Sequence, residues 1–295
     1  MNMETNKIHL MDCVEGLKKI ESNSVDIVLI DPPYNIGKDF GNSKYKLKMD
    51  EYIGWVKQWL VEGERILKDT GTMFVYGFSE ILAHISVNVS IPHRWLVWHY
   101  TNKATPNSKF WQRSHESIII AWKDKKERIF NLDDVREPYT ETYRKQYGSG
   151  QVVRPASKGR LQNKAEEGQE TLYKPHAGGA LPRDVLKVSA LAGGAALKER
   201  WFYCKTCDEV YEPRKLKEHK EHDVLKHPTQ KPMGLTEKLF KSCMPEVDGL
   251  VVVPFVGSGS ELVVAKQLGL DFIGFEINED YIRLANGMLE QQEVN

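Results

Sequence analysis

The chain has 295 residues, of which 41% are hydrophobic and 28% are charged, and its 41 Lys and Arg balance its 41 Asp and Glu. This composition can form a sizeable core and excludes a disordered chain, and the zero net charge argues against a uniformly cationic coat for nucleic acids. The longest apolar run, residues 250–256, is far shorter than the ~20 residues that span a bilayer. Because the first residues also lack a signal-peptide pattern, we predict a cytoplasmic protein with no membrane segment.

Hydrophobic periodicity predicts alternating helices and strands in the first 122 residues. The predicted elements are a helix at 14–20, a buried strand at 25–30, a helix at 51–68, and strands at 72–76, 95–98 and 117–122. Residues 37–48 are rich in Gly and Lys and predict a loop. This alternation is typical of an α/β sheet, in which ligands bind where the parallel strands end.

Residues 123–226 have a different character, because the periodicity is lost and turn-forming residues accumulate. The segment holds 22 Lys and Arg against 17 Asp and Glu, a net charge of +5. Residues 142–165 contain no Asp or Glu, and their basic side chains are Arg144, Lys145, Arg154, Lys158, Arg160 and Lys164. A segment of this kind predicts a second domain that faces a polyanion.

The remaining residues return to an α/β pattern. The predicted elements are a strand at 250–255, a Gly-rich turn at 256–260, a helix at 261–268, a strand at 272–277 and a helix that Asn278 caps and that runs to about 291.

The segment Pro254-Phe-Val-Gly-Ser-Gly-Ser260 places glycines between a predicted strand and a helix, where a ligand can approach the backbone closely. Glu276 follows at the end of the next predicted strand, and a carboxylate there can accept hydrogen bonds from both ribose hydroxyls of a nucleoside. An ordinary turn with an exposed Glu is the alternative. A nicotinamide dinucleotide is disfavoured, because Leu262 stands where G-x-G-x-x-G has its third glycine.

The turn Asp31-Pro-Pro-Tyr34 follows the predicted buried strand at 25–30. Two prolines fix the backbone and leave carbonyl acceptors without competing N–H groups. Asp31 and a proline carbonyl can together accept both hydrogens of one amino group, and Tyr34 can stack on a planar base. When both hydrogens are bound in this way, the lone pair of an exocyclic amine is free for attack. The alternative interpretation of the motif is a rigid turn that only ends the strand.

Cys204, Cys207, His219 and His222 form a Cys pair followed by a His pair. Two thiolates and two imidazoles are a common ligand set for structural tetrahedral zinc. The His pair is closer than the usual spacing of three to five residues, so two free cysteines in a polar loop are the alternative. We predict one structural zinc ion within the middle segment.

The motifs Asp31-Pro-Pro-Tyr34, His227-Pro-Thr-Gln-Lys-Pro232 and Pro254-Phe-Val-Gly-Ser-Gly259, in this order, resemble the beta group of S-adenosylmethionine-dependent DNA amino-methyltransferases. The resemblance covers roughly 7–122 and 227–290. It implies a Rossmann-like methyltransferase sheet that is circularly permuted around an inserted target-recognition region. The implied domains are a catalytic half at 1–122, the recognition region with the zinc knuckle at 123–226, and a cofactor-binding half at 227–295.

The resemblance also implies roles for matched residues. The catalytic residues are Asp31, Pro32, Pro33 and Tyr34, and the residues that bind S-adenosylmethionine are Asp12, Thr229, Lys231, Phe255, Gly257, Ser258, Gly259 and Glu276. Within this scheme Glu276 holds the ribose, and Lys231 with Thr229 lies near the cofactor carboxylate. One departure is Val253, because the family usually has Asp immediately before Pro-Phe.

We predict methylation of the N6 amine of adenine in double-stranded DNA, since Asp31-Pro-Pro-Tyr-Asn-Ile-Gly37 resembles the adenine version and N4-cytosine members more often begin with Ser. The alternatives are an N4-cytosine methyltransferase, a nucleoside- or dinucleotide-binding oxidoreductase, and a non-enzymatic zinc-containing DNA-binding module. A homodimer and a cognate restriction endonuclease are candidate partners, and the origin is expected to be bacterial, archaeal or phage. Cys13, Cys243 and the pair His115-Glu116 are assigned structural roles.

Overall fold

A computed structural model describes residues 3–37, 47–102, 109–147, 152–155, 170–173, 175–192 and 199–291 of the protein. The chain forms two compact units, one of Met1–Phe130 with Asp184–Asn295 and one of Asn131–Arg183. Within the described ranges, no helix combines the length and the apolar character that crossing a membrane requires.

The elements follow each other in chain order. The strands are β1 (Lys7–Leu10), β2 (Val25–Ile30), β3 (Leu67–Gly77), β4 (His93–His99), β5 (His115–Ala121), β6 (Val152–Pro155), β7 (Glu170–Tyr173), β8 (Val185–Lys187), β9 (Phe202–Cys204), β10 (Glu209–Tyr211), β11 (Val224–Leu225), β12 (Leu250–Val253) and β13 (Asp271–Glu276). The helices are α1 (Cys13–Leu17), α2 (Met49–Ile66), α3 (Ser79–Ser86), α4 (Glu141–Tyr147), α5 (Met233–Lys241), α6 (Ser260–Gln267) and α7 (Glu279–Gln291), with 3-10 helices at Asp133–Val135 and Pro213–His219.

Eight of the described strands form one sheet in the order β1-β13-β12-β2-β3-β5-β4-β8. The five strands from β1 to β3 are parallel, whereas β5 is antiparallel to both of its neighbours. All six residues of β2 are buried. Continuous burial of this kind is expected for a parallel strand that is covered on both faces, so helices must pack on both sides of the sheet.

Alternate residues of β2 enter two different cores, because side chains of a strand point to opposite faces in turn. Ile27 and Leu29 pack with residues of α5, α6 and α7, whereas Val28 and Ile30 pack with residues of α1, α2 and α3. The sheet is therefore the middle of three layers. This layering fixes the direction of β2 and presents the turn that follows it at the carboxyl edge of the sheet.

The strand predicted at 25–30 is confirmed residue for residue, and the helix predicted at 51–68 is α2. The helix predicted at 14–20 is shorter, ending at Leu17. Sequence periodicity missed β1, α3 and α5. The first is only four residues long with a single fully buried position, and the other two are short helices, so each offers too few repeats for a periodic signal.

The second unit is smaller than the predicted recognition region 123–226. Residues 184–226 belong to the first unit, where β8 extends the main sheet and β9 pairs with β10 and β11. Of the predicted basic residues, Arg144 and Lys145 are exposed on α4 and Arg154 lies in β6. The other three, Lys158, Arg160 and Lys164, lie outside the described residues.

A buried carboxylate ties the central strands together. Asp26, at the start of β2, is 3% exposed. Its oxygens accept hydrogen bonds from the Lys68 ammonium of β3 at 2.9 and 3.0 Å and from the Leu250 amide of β12 at 2.9 Å. A buried carboxylate is tolerated only when it is paired in this way. Its partners come from the strands on either side, so Asp26 also helps to set their register.

We expect Asp26→Ala to lower the free energy of unfolding by about 2–3 kcal/mol, because it removes a charge-assisted hydrogen bond and leaves the Leu250 amide without its acceptor. Urea denaturation followed by circular dichroism measures the change. The matched control is Asp69→Ala, which removes an exposed carboxylate from β3. Equal stability of the two variants would contradict a role for Asp26 in joining the strands.

Candidate active site

A cavity of about 430 Å³ opens at the carboxyl edge of the parallel strands. Since β1, β13, β12 and β2 are parallel neighbours, the segments that follow them meet at this edge. The lining residues from these segments include Asp12, Asp31–Tyr34, Pro254–Ser258 and Glu276. The volume is within the range of small-molecule sites. The Asp31 turn and the Gly-rich turn therefore line one cavity.

The Asp31 carboxyl group at this edge of the sheet accepts hydrogen bonds from a Tyr and a Lys. The Tyr34 hydroxyl donates to Asp31 Oδ1 at 2.7 Å, and the Lys231 ammonium donates to Asp31 Oδ2 at 2.6 Å. Glu116 on β5 completes the group, with Oε2 at 3.3 Å from the Tyr34 hydroxyl and 3.8 Å from Lys231 Nζ. These four residues are called the Asp31 cluster below. Both oxygens of the Asp31 carboxylate are oriented by protein donors before any ligand binds.

Burial and neighbouring charges shift the pKa values of two members of the Asp31 cluster. Lys231 is 2% exposed, and burial lowers the pKa of its ammonium, but Asp31 and Glu116 outweigh this effect and the pKa is raised. Burial first, then the charges of Asp31 and Glu116, raise the pKa of Tyr34 well above its usual value. Lys231 is therefore cationic and Tyr34 remains a hydrogen-bond donor. Lys231 is the cation that faces both carboxyl groups of the cluster.

A side chain of α2 binds one carbonyl of the Pro-Pro turn. The Tyr52 hydroxyl donates to the Pro33 carbonyl at 2.9 Å, so this carbonyl is already engaged. Pro32 lines the cavity. Aromatic rings also line it, since Tyr34 packs edge-on against Phe78 with ring centroids 5.0 Å apart, and Trp98 lies beside Glu116 on the neighbouring strand. Polar acceptors and flat apolar surfaces thus occur side by side.

The Gly-rich turn uses its glycines for two different purposes. Gly257 and Gly259 have φ of +52° and +83°, a conformation that favours glycine. A Cβ on Gly257 would lie 2.6 Å from His227 Nε2, and one on Gly259 would lie 2.5 Å from the Cβ of Ala285 in α7. Gly257 and Ser258 line the cavity, whereas Gly259 packs against α7 and is not among the lining residues. Its role in binding the cofactor stays a prediction, whereas its packing against α7 is observed.

Glu276 is held by backbone amides. Its Oε2 accepts from the Gly257 amide at 2.9 Å, and its Oε1 accepts from the amides of Ile277 and Asn278, both at 2.9 Å. Burial raises its pKa although these hydrogen bonds act in the opposite direction. A carboxylate has about four acceptor positions, so one remains on Oε2 for a ligand. The sequence predicted that this carboxylate accepts hydrogen bonds from the ribose hydroxyls, and that role stays a prediction.

The other predicted cofactor residues lie at the rim of the cavity. Asp12, Thr229 and Phe255 all line it. Asp12 also caps α1, since its Oδ1 accepts from the amides of Val14 and Glu15 at 2.9 and 3.2 Å. The Lys231 ammonium lines the cavity and contacts Asp31, and its place near a cofactor carboxylate stays a prediction.

Sequence reasoning missed two buried carboxylates of the site. Glu116 was assigned a structural role, but its side chain faces the Asp31 cluster. Glu261, in the first turn of α6, is 5% exposed and lines the cavity. Burial and the charge of Asp31 raise the pKa of Glu261 to about 7, against the hydrogen bond that Ser260 Oγ donates to it at 2.9 Å. Neither residue belongs to a short motif, so only the fold reveals them.

Val253 is fully buried in β12 and does not line the cavity. The carboxylate that the resemblance would lead one to expect at 253 is therefore absent, and a carboxylate stands eight residues later, at Glu261.

The predicted zinc ligands lie apart from this cavity. Cys204, Cys207, His219 and His222 come together on the small sheet of β9, β10 and β11 and are not among the lining residues.

Known proteins share this sequence pattern. The N6_N4_Mtase family, described as DNA methylase, matches residues 25–287. The type II methyltransferase M.HpaI of Haemophilus parainfluenzae is 28% identical over 286 residues, which are 95% of this chain and 73% of the relative. The DNA adenine methyltransferase YhdJ of Escherichia coli (strain K12) is 27% identical over 92% of this chain and 79% of the relative.

Solved structures share the fold. The PvuII DNA methyltransferase (cytosine-N4-specific) has a TM-score of 0.63 at 15% identity, over 97% of this chain and 87% of that chain. The M1.HpyAVI–SAM complex has a TM-score of 0.55 at 17% identity, over 96% and 98%. These similarities confirm the predicted α/β methyltransferase fold. Because the family match also covers most of the sequence, the chain belongs to the N6/N4 DNA methylase family.

Proposed function

We propose that the protein transfers a methyl group from S-adenosylmethionine to the N6 amine of adenine in double-stranded DNA. The observation that carries this proposal is the Asp31 cluster at the edge of a cavity that Glu276 and the Gly-rich turn also line. Family membership supports a DNA methylase, and the SAM complex of M1.HpyAVI and the adenine specificity in the name of YhdJ support the cofactor and the base.

The cavity has groups that fit S-adenosylmethionine. One acceptor position of Glu276 is available for a ribose hydroxyl, and the left-handed backbone at Gly257 allows close approach. The bound cofactor would supply an electrophilic methyl group on a positively charged sulfur. Glu261 offers the site a further buried carboxylate for such a cationic ligand, in place of the Asp that is missing at Val253.

Asp31 has the central role toward the base. In this proposal its carboxylate and the Pro32 carbonyl accept the two hydrogens of the exocyclic amine, which leaves the nitrogen lone pair free for attack. Positive charge develops on that nitrogen as the new bond forms, and preorganised carboxylates stabilise it. Lys231 and Tyr34 keep the Asp31 carboxyl group oriented, so little reorganisation is needed. Asp31 is also placed to take up a proton as the methylated amine returns to neutrality.

The target base has to leave the duplex to reach Asp31, which costs a few kcal/mol. The aromatic rings of Tyr34, Phe78 and Trp98 offer surfaces on which an extruded base could stack. Cytosine carries the same kind of amine, and the fold of the N4-specific PvuII enzyme is similar. Asp at the first position of the tetrapeptide, where cytosine enzymes more often have Ser, favours adenine. A homodimer and a cognate endonuclease stay predictions.

Identifying the methylated base tests this proposal. The purified protein is incubated with labelled S-adenosylmethionine and mixed-sequence DNA, and the DNA is digested to nucleosides for mass spectrometry. We expect N6-methyladenine. Asp31→Asn keeps the shape of the side chain but not its charge, and should lower turnover at least ~10²-fold while retaining cofactor binding. N4-methylcytosine as the product would reject the choice of base, and full activity of Asp31→Asn would reject the role of Asp31.

Glu261 predicts a pH dependence that can be isolated with one variant. A carboxyl group whose pKa is raised to about 7 binds a proton in the folded protein that it lacks when unfolded, so it lowers stability as pH rises from about 5 to 8. Glu261→Gln should therefore raise the melting temperature at pH 8 and not at pH 5. At pH 8 it should also weaken S-adenosylmethionine binding about tenfold, since a charge-assisted contact is lost.

Scanning fluorimetry and calorimetry at both pH values measure these effects. The groups whose charges face Glu261 are Asp31 and Lys231, and both are unchanged in the variant. Glu290→Gln, an exposed position on α7, is the matched control. A cofactor affinity that is identical in Glu261→Gln and Glu290→Gln at pH 8 would remove Glu261 from the cofactor site.

We further propose that the second unit holds the DNA backbone through exposed basic residues. Replacing Arg144 and Lys145 with Ala should reduce the slope of log affinity against log salt by about two units, one for each phosphate contact. The control is the pair Lys125 and Lys126, which are exposed and follow the end of β5 that lies away from the cavity. An unchanged slope in the Arg144/Lys145 variant would exclude these residues from the interface.

A further inference from the structure

Two Cys and two His side chains converge at one end of the sheet β10-β9-β11. Their ligand atoms all lie within 4.8 Å of one another. The Nδ1 atom of His222 is 3.2 Å from Cys207 Sγ and 3.5 Å from Cys204 Sγ, and it is 3.3 Å from Nδ1 of His219. A third sulfur–nitrogen pair, Cys207 with His219, is 3.9 Å apart. The four donors thus surround a common point.

These separations match a tetrahedral zinc site. With zinc–sulfur bonds of about 2.3 Å and zinc–nitrogen bonds of about 2.0–2.1 Å, a tetrahedron separates sulfur from nitrogen by about 3.5 Å and two nitrogens by about 3.3 Å. The observed sulfur–nitrogen distances of 3.2, 3.5 and 3.9 Å and the nitrogen–nitrogen distance of 3.3 Å are of this size. The donor set therefore needs little movement to coordinate a metal.

The short spacing between the two histidines has a local structural cause. His219 ends the 3-10 helix Pro213–His219, and the His222 amide continues the same turn by donating to the His219 carbonyl at 3.1 Å. In a 3-10 helix, side chains three residues apart are eclipsed. His219 and His222, which have two residues between them, consequently project to the same side, although a usual zinc-finger pair has three to five residues between its histidines. The 3-10 turn thus explains the short spacing of the two histidines, which had weakened the sequence evidence for zinc.

The residues around the donors form only a small core. Cys204 is fully buried with Phe202 and Tyr211, and the Tyr211 ring stacks on His219 with centroids 4.1 Å apart. Together with the partly buried Val224, this cluster is far smaller than the cores on the two faces of the main sheet. Tyr203, Val210 and Leu225 of the same three strands pack on the larger core of the main sheet. The four donors themselves are therefore supported by few apolar side chains.

The segment 202–225, called the knuckle below, is fastened to helix α7. The Arg283 guanidinium donates to Asp208 Oδ1 at 2.9 Å, the Gln291 amide donates to the Val210 carbonyl at 2.8 Å, and Lys205 pairs with Asp280. Gly287 allows close contact, because a Cβ there would lie 2.5 Å from the Val210 side chain. The same helix carries Tyr281, which lines the cavity and packs on His227 with ring centroids 4.9 Å apart.

We propose that Cys204, Cys207, His219 and His222 bind one Zn²⁺ ion, and that this ion holds the knuckle against α7 and thereby supports the wall of the cavity. Four protein ligands leave no open position for water or substrate, so the ion is structural. The sequence suggested that a metal here would serve DNA recognition. The contacts with α7 instead connect it to the half of the protein that holds Tyr281 and the Gly-rich turn.

Metal analysis of the full-length protein, purified without added metal, is the first test. We expect about one zinc per chain, and replacement by Co²⁺ should give the visible absorption of a tetrahedral site with a thiolate-to-cobalt band. Cys207→Ser and His222→Asn should lose the metal. The matched controls are Cys243→Ser and His84→Asn, which change a Cys and a His outside the cluster and should retain it.

Hydrogen exchange tests the connection to α7. Removal of zinc from the wild-type protein with a chelator should increase amide exchange in the knuckle and in α7, and returned Zn²⁺ should restore protection. S-adenosylmethionine binding should weaken several-fold at the same time, with DNA binding affected no more strongly. The chelator experiment uses the wild-type protein, so its result is valid even where Cys207→Ser fails to fold.

Several results would overturn the proposal. These are a protein that neither contains zinc nor binds Co²⁺ tetrahedrally, a disulfide between Cys204 and Cys207 in the purified protein, and undiminished zinc in Cys207→Ser. Protection of α7 that is unchanged by chelation would overturn the structural role even if metal is present. None of these readouts depends on methyl transfer, so they are independent of the proposed reaction.

Discussion

The buried ion pair between Lys231 and Asp31 is the contact on which the site depends. It joins residues 200 positions apart in the sequence, and Lys231 also faces Glu116. Burying these charges is costly, and replacing a buried pair with apolar residues often stabilises a protein. We therefore attribute this ion pair at the edge of the cavity to a role in the proposed reaction and not to a gain in the free energy of unfolding. The single ammonium faces both carboxyl groups where the proposed reaction develops positive charge.

The sheet order makes this contact possible. Placing β12 directly beside β2 brings the Gly-rich turn next to the Asp31 turn, although about 220 residues separate the strands in sequence. Asp26 strengthens the same junction from the opposite end of β2, where it binds partners from both neighbouring strands. The second unit, Asn131–Arg183, is inserted between these halves without interrupting their pairing. Two parts of the chain that are far apart in sequence can consequently build one carboxyl edge, because the edge depends on which strands are neighbours in the sheet.

Local patterns predicted the parts of the fold that local forces decide. Strand β2 was predicted to the residue because its six consecutive apolar or tightly paired positions are buried on both faces. Asp31 and Glu276 could be located because Asp31 follows β2 and Glu276 ends β13, both of which have apolar sequences. Glu116 and Glu261 were not, since their site role arises from contacts with residues more than 80 and 200 positions away, which periodicity does not register. The outer boundary of the inserted unit was also missed, because β8 and the knuckle have turn-rich sequences but pack on the first unit.

The knuckle and the ion pair share a short connection. His222 is followed by β11, which pairs with β9, and the chain then reaches His227 and Lys231 within a few residues. The segment 222–231 is thus held at two points. The proposed metal holds its first residue, His222, and Tyr281 of α7 packs on His227 in its middle. Both supports converge on the ammonium that orients Asp31. A metal remote from the cavity can therefore influence the geometry of the cavity without contributing any ligand to it, because the elements between them are short and paired.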